Sequence, residues 1–170
     1  VHFGISNDNN TVMNAMNHGV AQFSIPGANA NPGEVGNLVI TGHSAGDIYS
    51  NNQYKFIFSG LERLKAGDTI YVNHQSTRYT YSVKRLQTIE PSNIAALTAD
   101  NNKPQLVLVT CTPLGTSRYR LLVFADQISP APDTASAKPQ TTPKKVFKAN
   151  TMPANEPSFF EKIWNWLTGK

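Results

Sequence analysis

The chain has 170 residues, 39% hydrophobic and 15% charged, with a formal net charge of +4; that length buries one substantial core and predicts one globular domain with tails. The charge is lopsided, nine Lys and Arg against eight Asp and Glu in residues 1–129 but six against three in residues 130–170, so the body lacks the basic surface with which nucleic-acid binders neutralise phosphate. No stretch approaches the roughly 20 apolar residues that span a bilayer, and no charged-then-apolar signal segment opens the chain.

In chain order, Val12, Met13 and Met16 recur at helical spacing and predict a short amphipathic helix within residues 10–18. The pattern then turns to β. Strands rich in Val, Ile, Tyr and Thr are predicted at Ala21–Ile25, Gly36–Thr41, Thr69–His74, Arg78–Ile89, Gln105–Cys111 and Tyr119–Ile128. Pro26-Gly27, Asn31-Pro32-Gly33, Lys65-Ala66-Gly67-Asp68 and Asn101-Asn102-Lys103-Pro104 supply the turns between them. Tyr54, Phe56, Phe58, Leu61 and Leu64 predict a short helix or loop packed on the sheet's mouth, and Asn93–Leu97 a single helical turn. Short strands without alternating long helices predict a mostly-β fold, a closed or nearly closed and mostly antiparallel barrel with short helices and a flexible C-terminal tail.

After Ser129 the composition changes to Pro, Ala, Thr, Ser and Lys through about Pro157, which predicts an extended linker. Beyond it, Phe159, Phe160, Ile163, Trp164 and Leu167 fall on one helical face, with Ser158 as N-cap and Glu161 as its capping-box partner. Such a helix docks on the barrel or lies at a membrane interface, where Trp is favoured. The expected organisation is a barrel domain at 1–129, a linker at 130–157 and an amphipathic helix at 158–170.

The single cysteine, Cys111, closes no intramolecular disulfide, which fits a cytosolic chain and an exported one equally. It ends the apolar run Leu106-Val107-Leu108-Val109-Thr110, and Arg120 heads the next run nine residues on. Gly42-His43-Ser44 closes a third, Leu38-Val39-Ile40-Thr41. A thiol, an imidazole and a guanidinium at three strand ends predict one cleft. Cysteine reacts as the thiolate, which a histidine and a nearby cation favour, and the histidine remains available for proton transfer. Attack on an amide carbonyl builds negative charge on oxygen, and Arg120 carries fixed donors to meet it. His2, His18 and His74 read as surface residues. A metal site would need close ligand pairs, which the sequence lacks. A serine nucleophile at Ser44 with Asp47 lacks the G-x-S-x-G elbow. No cofactor is implied. The opposing reading is a buried, inert thiol in a surface binding module.

Several motifs in order carry a resemblance. Pro26-Gly27 and Pro32-Gly33 precede Gly36-Asn37-Leu38-Val39-Ile40-Thr41-Gly42-His43; Phe58, Leu61, Leu64, Gly67-Asp68-Thr69-Ile70 and Tyr81-Ser82-Val83 follow; then come Leu108-Val109-Thr110-Cys111-Thr112-Pro113 and Arg120-Leu121-Leu122-Val123. From about Phe23 to Ala125 the chain resembles the sortase family. The resemblance implies an eight-stranded β-barrel and a membrane-associated cysteine transpeptidase on the outer face of a Gram-positive-type cell. Its members cleave a Leu-Pro-x-Thr-Gly-like signal between Thr and Gly. By this resemblance Cys111 forms a thioacyl enzyme with the Thr carbonyl, His43 protonates the leaving amine and then deprotonates the incoming one, and Arg120 positions substrate and stabilises the oxyanion.

The resemblance also implies substrate contacts at Thr110 and, in the segment before the cysteine strand, at Ile94, Ala95, Ala96 and Leu97. The partners implied are surface proteins or pilins bearing the signal, and an amine from a peptidoglycan precursor or a pilin lysine. Thr112-Pro113 is similar to pilus-building class C enzymes, although their Asp-Pro-aromatic lid motif is absent from residues 1–20; Ser117-Arg118-Tyr119-Arg120 is similar to class E. Sparse acids near Glu90 and Asp100 give no support for calcium activation. The competing enzyme reading is a cysteine peptidase that hydrolyses the same acyl intermediate.

Overall fold

The computed structural model describes residues 1–45, 51–98, 102–134, 150–154 and 159–169. Helix α1 (Asn9–Met16) is capped by the Asp8 carboxylate, which accepts from the Thr11 amide at 3.0 Å. Six strands follow: β1 (Ala21–Gln22), β2 (Gly36–Thr41), β3 (Thr69–His74), β4 (Thr77–Ile89), β5 (Pro104–Thr112) and β6 (Tyr119–Ser129). A 3-10 turn at Ile94–Thr98 precedes β5, and helix α2 spans Phe159–Thr168. Ser158, the expected cap of α2, lies outside the described residues, as do Asp47 and Asp100.

Among the described residues the strands form one curled sheet in the order β1-β2-β5-β6-β4-β3, a six-stranded half-barrel where the resemblance implied eight strands. The predicted first strand is cut to two residues. Pro26-Gly27 turns the chain back so that Ile25 pairs with Ala28 across a tight bend instead of extending the ladder. One neighbouring pair is parallel, β2 with β5; the other four are antiparallel. The β3–β4 hairpin turns through Gln75 and Ser76, both at positive φ, the two-residue geometry that matches strand twist. Register shifts in the β4–β6 ladder at Thr80/Tyr81 and Val83/Arg85 add local bend.

Strand alternation sends side chains to two cores. Leu38, Ile40, Leu106, Leu108, Val123 and Ala125 meet Val72, Tyr81 and Val83 inside the curl. Residues from the two ends of the sheet share this cluster, which is why the sheet must bend. Val39, Val107, Val109, Leu122 and Phe124 face the other way and are covered by Val12, Ala15 and Met16 of α1 and by Leu97. β5 is buried on both faces, so its sequence reads as a continuous apolar run.

Beyond β2 the chain passes through Gly42, where a Cβ would lie 2.8 Å from Phe58 Cδ2 and 2.9 Å from Val20 Cγ1. Only glycine brings the following histidine this close to the sheet. The segment expected on the mouth is there: Phe58, Leu61 and Leu64 pack against the inner core, and the Phe58 amide donates to the His43 carbonyl at 2.9 Å.

Candidate active site

Parallel pairing of β2 with β5 places both strand ends on one side, with Thr41 opposite Val109. Two residues further on lie His43 and Cys111. Cys111 is the direct cross-strand partner of Arg120 in β6, so their side chains leave the same face of the sheet. That face also carries Val109 and Leu122, and α1 covers it. The three sequence-predicted residues thus sit on three adjacent strand ends, and all are deeply buried: Cys111 is 4% exposed, His43 1% and Arg120 2%.

Two hydroxyls tie the ends together. Thr110 donates through Oγ1 to the Gly42 carbonyl at 2.8 Å, and Ser44 donates through Oγ to the Cys111 carbonyl at 2.8 Å. Thr110, expected as a substrate contact, lies one residue before Cys111 and faces the opposite side of the sheet. It helps line a small, shallow pocket with Ser44, Phe58, Glu62, Cys111 and Leu121.

Asn17, the residue capping the C-terminal end of α1, is a partner that the sequence did not disclose. Its Oδ1 accepts from Asn52 Nδ2 at 3.0 Å and lies 3.0 Å from His43 Nε2. An amide oxygen can only accept, so this contact sets the imidazole with Nε2–H toward Asn17. The other histidines are engaged elsewhere: His2 at the His18 carbonyl, His18 at the Asn14 carbonyl and His74 against the Phe3 ring.

Arg120 is the only Lys or Arg buried among the described residues. Burial lowers its pKa while the facing Cys111 opposes that shift, yet a guanidinium keeps its charge at any working pH. Its partners are all carbonyl oxygens. Nη1 donates to Ser117 at 3.0 Å and Tyr119 at 3.1 Å, fixing the base of the fork. Nε donates to Pro153 at 2.7 Å and Nη2 to Met152 at 3.2 Å. The stretch expected as an extended linker therefore contains a packed segment. Met152 is 2% exposed and belongs to the same hydrophobic cluster as Ile89, Leu97, Val109 and Leu122.

Of the remaining expected contacts, Leu97 is fully buried, and Ile94 and Ala96 are partly buried against the same cluster as Met152. Ala95 is exposed, and its carbonyl accepts from the Thr98 hydroxyl at 2.8 Å. No three His, Cys, Asp or Glu side chains among the described residues are placed to hold a metal ion. A thiol, an imidazole and a guanidinium together are equipped for nucleophilic attack on a carbonyl, proton transfer to its leaving group, and charge stabilisation on its oxygen.

A family model described as Sortase domain matches residues 1–128. Sortase A of Streptococcus agalactiae serotype III (strain NEM316) is 36% identical over 73 residues, which cover 42% of this chain and 29% of that protein. Among solved structures, sortase C-1 from Actinomyces oris is 27% identical, covering 69% of this chain and 61% of that one, with a TM-score of 0.58. Sortase A from Corynebacterium diphtheriae is 31% identical, covering 77% and 54%, with a TM-score of 0.57. The chain thus spans less than two thirds of the length of each of these relatives.

Proposed function

The chain belongs to the sortase family, and from that premise we propose that it is a cysteine transpeptidase acting on a Leu-Pro-x-Thr-Gly-like sorting signal. The observation that carries the reading is the cross-strand pairing of Cys111 with Arg120 beside His43 at the end of the parallel strand. The Cys111 thiolate attacks the Thr carbonyl carbon, and Arg120 donates to the oxygen as it becomes negative. The C–N bond then breaks, His43 giving its proton to the departing Gly amine, and a thioester remains on Cys111. An amine attacks that thioester, His43 takes its proton, and the new amide leaves as the C–S bond breaks.

Arg120 serves this chemistry because its Ser117 and Tyr119 bonds hold the fork rigid while Nε and Nη2 point to successive peptide carbonyls. The pocket on the other side of Cys111, with Glu62 in its wall, is the entry assigned to the amine, whose cationic form a carboxylate attracts. Ile94, Ala96 and Leu97 supply the apolar wall for the Leu-Pro part of the signal, with Ala95 at its rim and Thr110 behind the nucleophile. The acceptor is a cell-wall precursor amine or a pilin lysine; the relatives named above carry both A and C designations. On this reading the enzyme works at the outer face of the cell membrane. No helix among the described residues is long and apolar enough to cross a membrane. The exposed Ile163, Trp164, Trp166 and Leu167 of α2 support a surface association with lipid.

The test is incubation of the full chain with Leu-Pro-x-Thr-Gly peptides and either oligoglycine or a lysine amine, with products followed by mass spectrometry. Amine-capped product is expected, and the better acceptor identifies the class. Hydrolysed product alone would replace transpeptidase with peptidase, and an inert protein would leave a binding module.

Asn17 adds a separate prediction. Its helix-capping role is carried by its backbone amide, which donates to the Met13 carbonyl at 3.1 Å, so side-chain changes spare the cap and test the contacts of Oδ1 with His43 and Asn52. Asn17→Ala is expected to lower kcat about tenfold with little change in KM, because an unoriented base spends less time in line. Asn17→Asp should shift the imidazole limb of the pH–rate profile upward, since a neighbouring carboxylate favours the imidazolium. An unmoved limb would assign Asn17 a structural role alone.

A further inference from the structure

Arg120 is a buried cation whose partners among the described residues include no carboxylate, and two of its donors are spent on a segment more than 30 residues downstream. That segment, Thr151–Ala154, enters from beyond the body. The Met152 side chain is buried in the cluster that includes Ile89, Leu97, Val109 and Leu122, and its amide donates to the Pro91 carbonyl at 3.0 Å. Its carbonyl and that of Pro153 take the two outward arms of the guanidinium. An apolar residue followed by proline, with successive carbonyls on the arginine that faces the nucleophile, has the chemistry of a bound peptide rather than of a linker.

We infer that Met152-Pro153 is a tethered occupant of the peptide groove, which an incoming signal must displace before Arg120 can serve it. The inference rests on the reading above for the identity of the displacing peptide, not for the docking itself. A segment held on the same chain has an effective concentration on the order of millimolar, so even weak intrinsic binding keeps the groove mostly filled. A groove that is about nine-tenths self-occupied shows a substrate about a tenth of its intrinsic affinity. Cys111, the cross-strand partner of the arginine that holds the segment, is 4% exposed with the segment in place.

Full-length Met152→Asp tests it, because a carboxylate cannot be accommodated in the apolar site and the segment is released. Alkylation of Cys111 by iodoacetamide should accelerate about tenfold, and KM for a Leu-Pro-x-Thr-Gly peptide should fall about tenfold. A folded variant in which both stay at the wild-type value overturns the occupant. Faster alkylation with no peptide turnover keeps the occupant and removes the sorting-signal reading. Should Met152→Asp fail to fold, hydrogen exchange on the wild-type chain decides. The Met152 amide is expected to be protected in the free protein and to lose protection under saturating peptide. Exchange at the rate of an open chain in the free protein, or protection that survives bound peptide, overturns the inference.

Discussion

Cys111→Ala is expected to abolish the thioacyl adduct and lower turnover by at least about 10⁴-fold, the scale on which removing a covalent nucleophile acts in enzymes that use one. The structure explains why no neighbour should substitute. The two buried hydroxyls beside Cys111 are committed: Thr110 to the Gly42 carbonyl and Ser44 to the Cys111 carbonyl. Moving either hydroxyl toward substrate would unlace β2 from β5. Cys111→Ser should be nearly as inactive, since the hydroxyl keeps the shape but lacks the acidity and polarisability of sulfur. Intact-mass analysis of each variant after peptide addition supplies the measurement. An adduct surviving in Cys111→Ala would move the nucleophile elsewhere and sink the assignment. A thermal midpoint close to wild type would show that lost activity is not lost fold, as expected for removal of one small group.

Much of the frame that positions this thiol is legible in the sequence, and what escapes it has physical causes. β2 and β3 begin and end where the runs rich in Val, Ile, Tyr and Thr predict, because turn residues with a fixed backbone preference bound them. The helical turn before β5 appears within a residue of its expected place. A strand's residues disclose its burial but not its neighbour, so the parallel β2–β5 pair, which brings His43 level with Cys111, is visible only in three dimensions. Asn17 reaches His43 from 26 positions away through a single amide oxygen, a contact with no periodicity to announce it. Met152 is hidden for the opposite reason. Its surroundings are rich in Pro, Thr and Lys, and one buried side chain does not alter the average composition on which a linker is recognised.

Arg120→Lys separates the two demands placed on this residue. Lysine keeps the charge but loses the planar fork, so a point charge on a flexible stem must replace four donors aimed at four carbonyls. Turnover is expected to fall about 10²- to 10³-fold, the usual effect of losing a fixed oxyanion donor. Stability should drop by about 1 kcal/mol because the partly buried carbonyls of Ser117 and Tyr119 lose their donors. The same substitution loosens the grip on Met152 and Pro153, so alkylation of Cys111 should speed up while peptide turnover collapses. Those two readouts moving in opposite directions distinguish an arginine that both stabilises the oxyanion and holds the tethered segment from one that merely props the fold. If turnover in Arg120→Lys stays within a few-fold of wild type, the oxyanion is held by other donors. If alkylation does not change, the guanidinium is not what retains the segment.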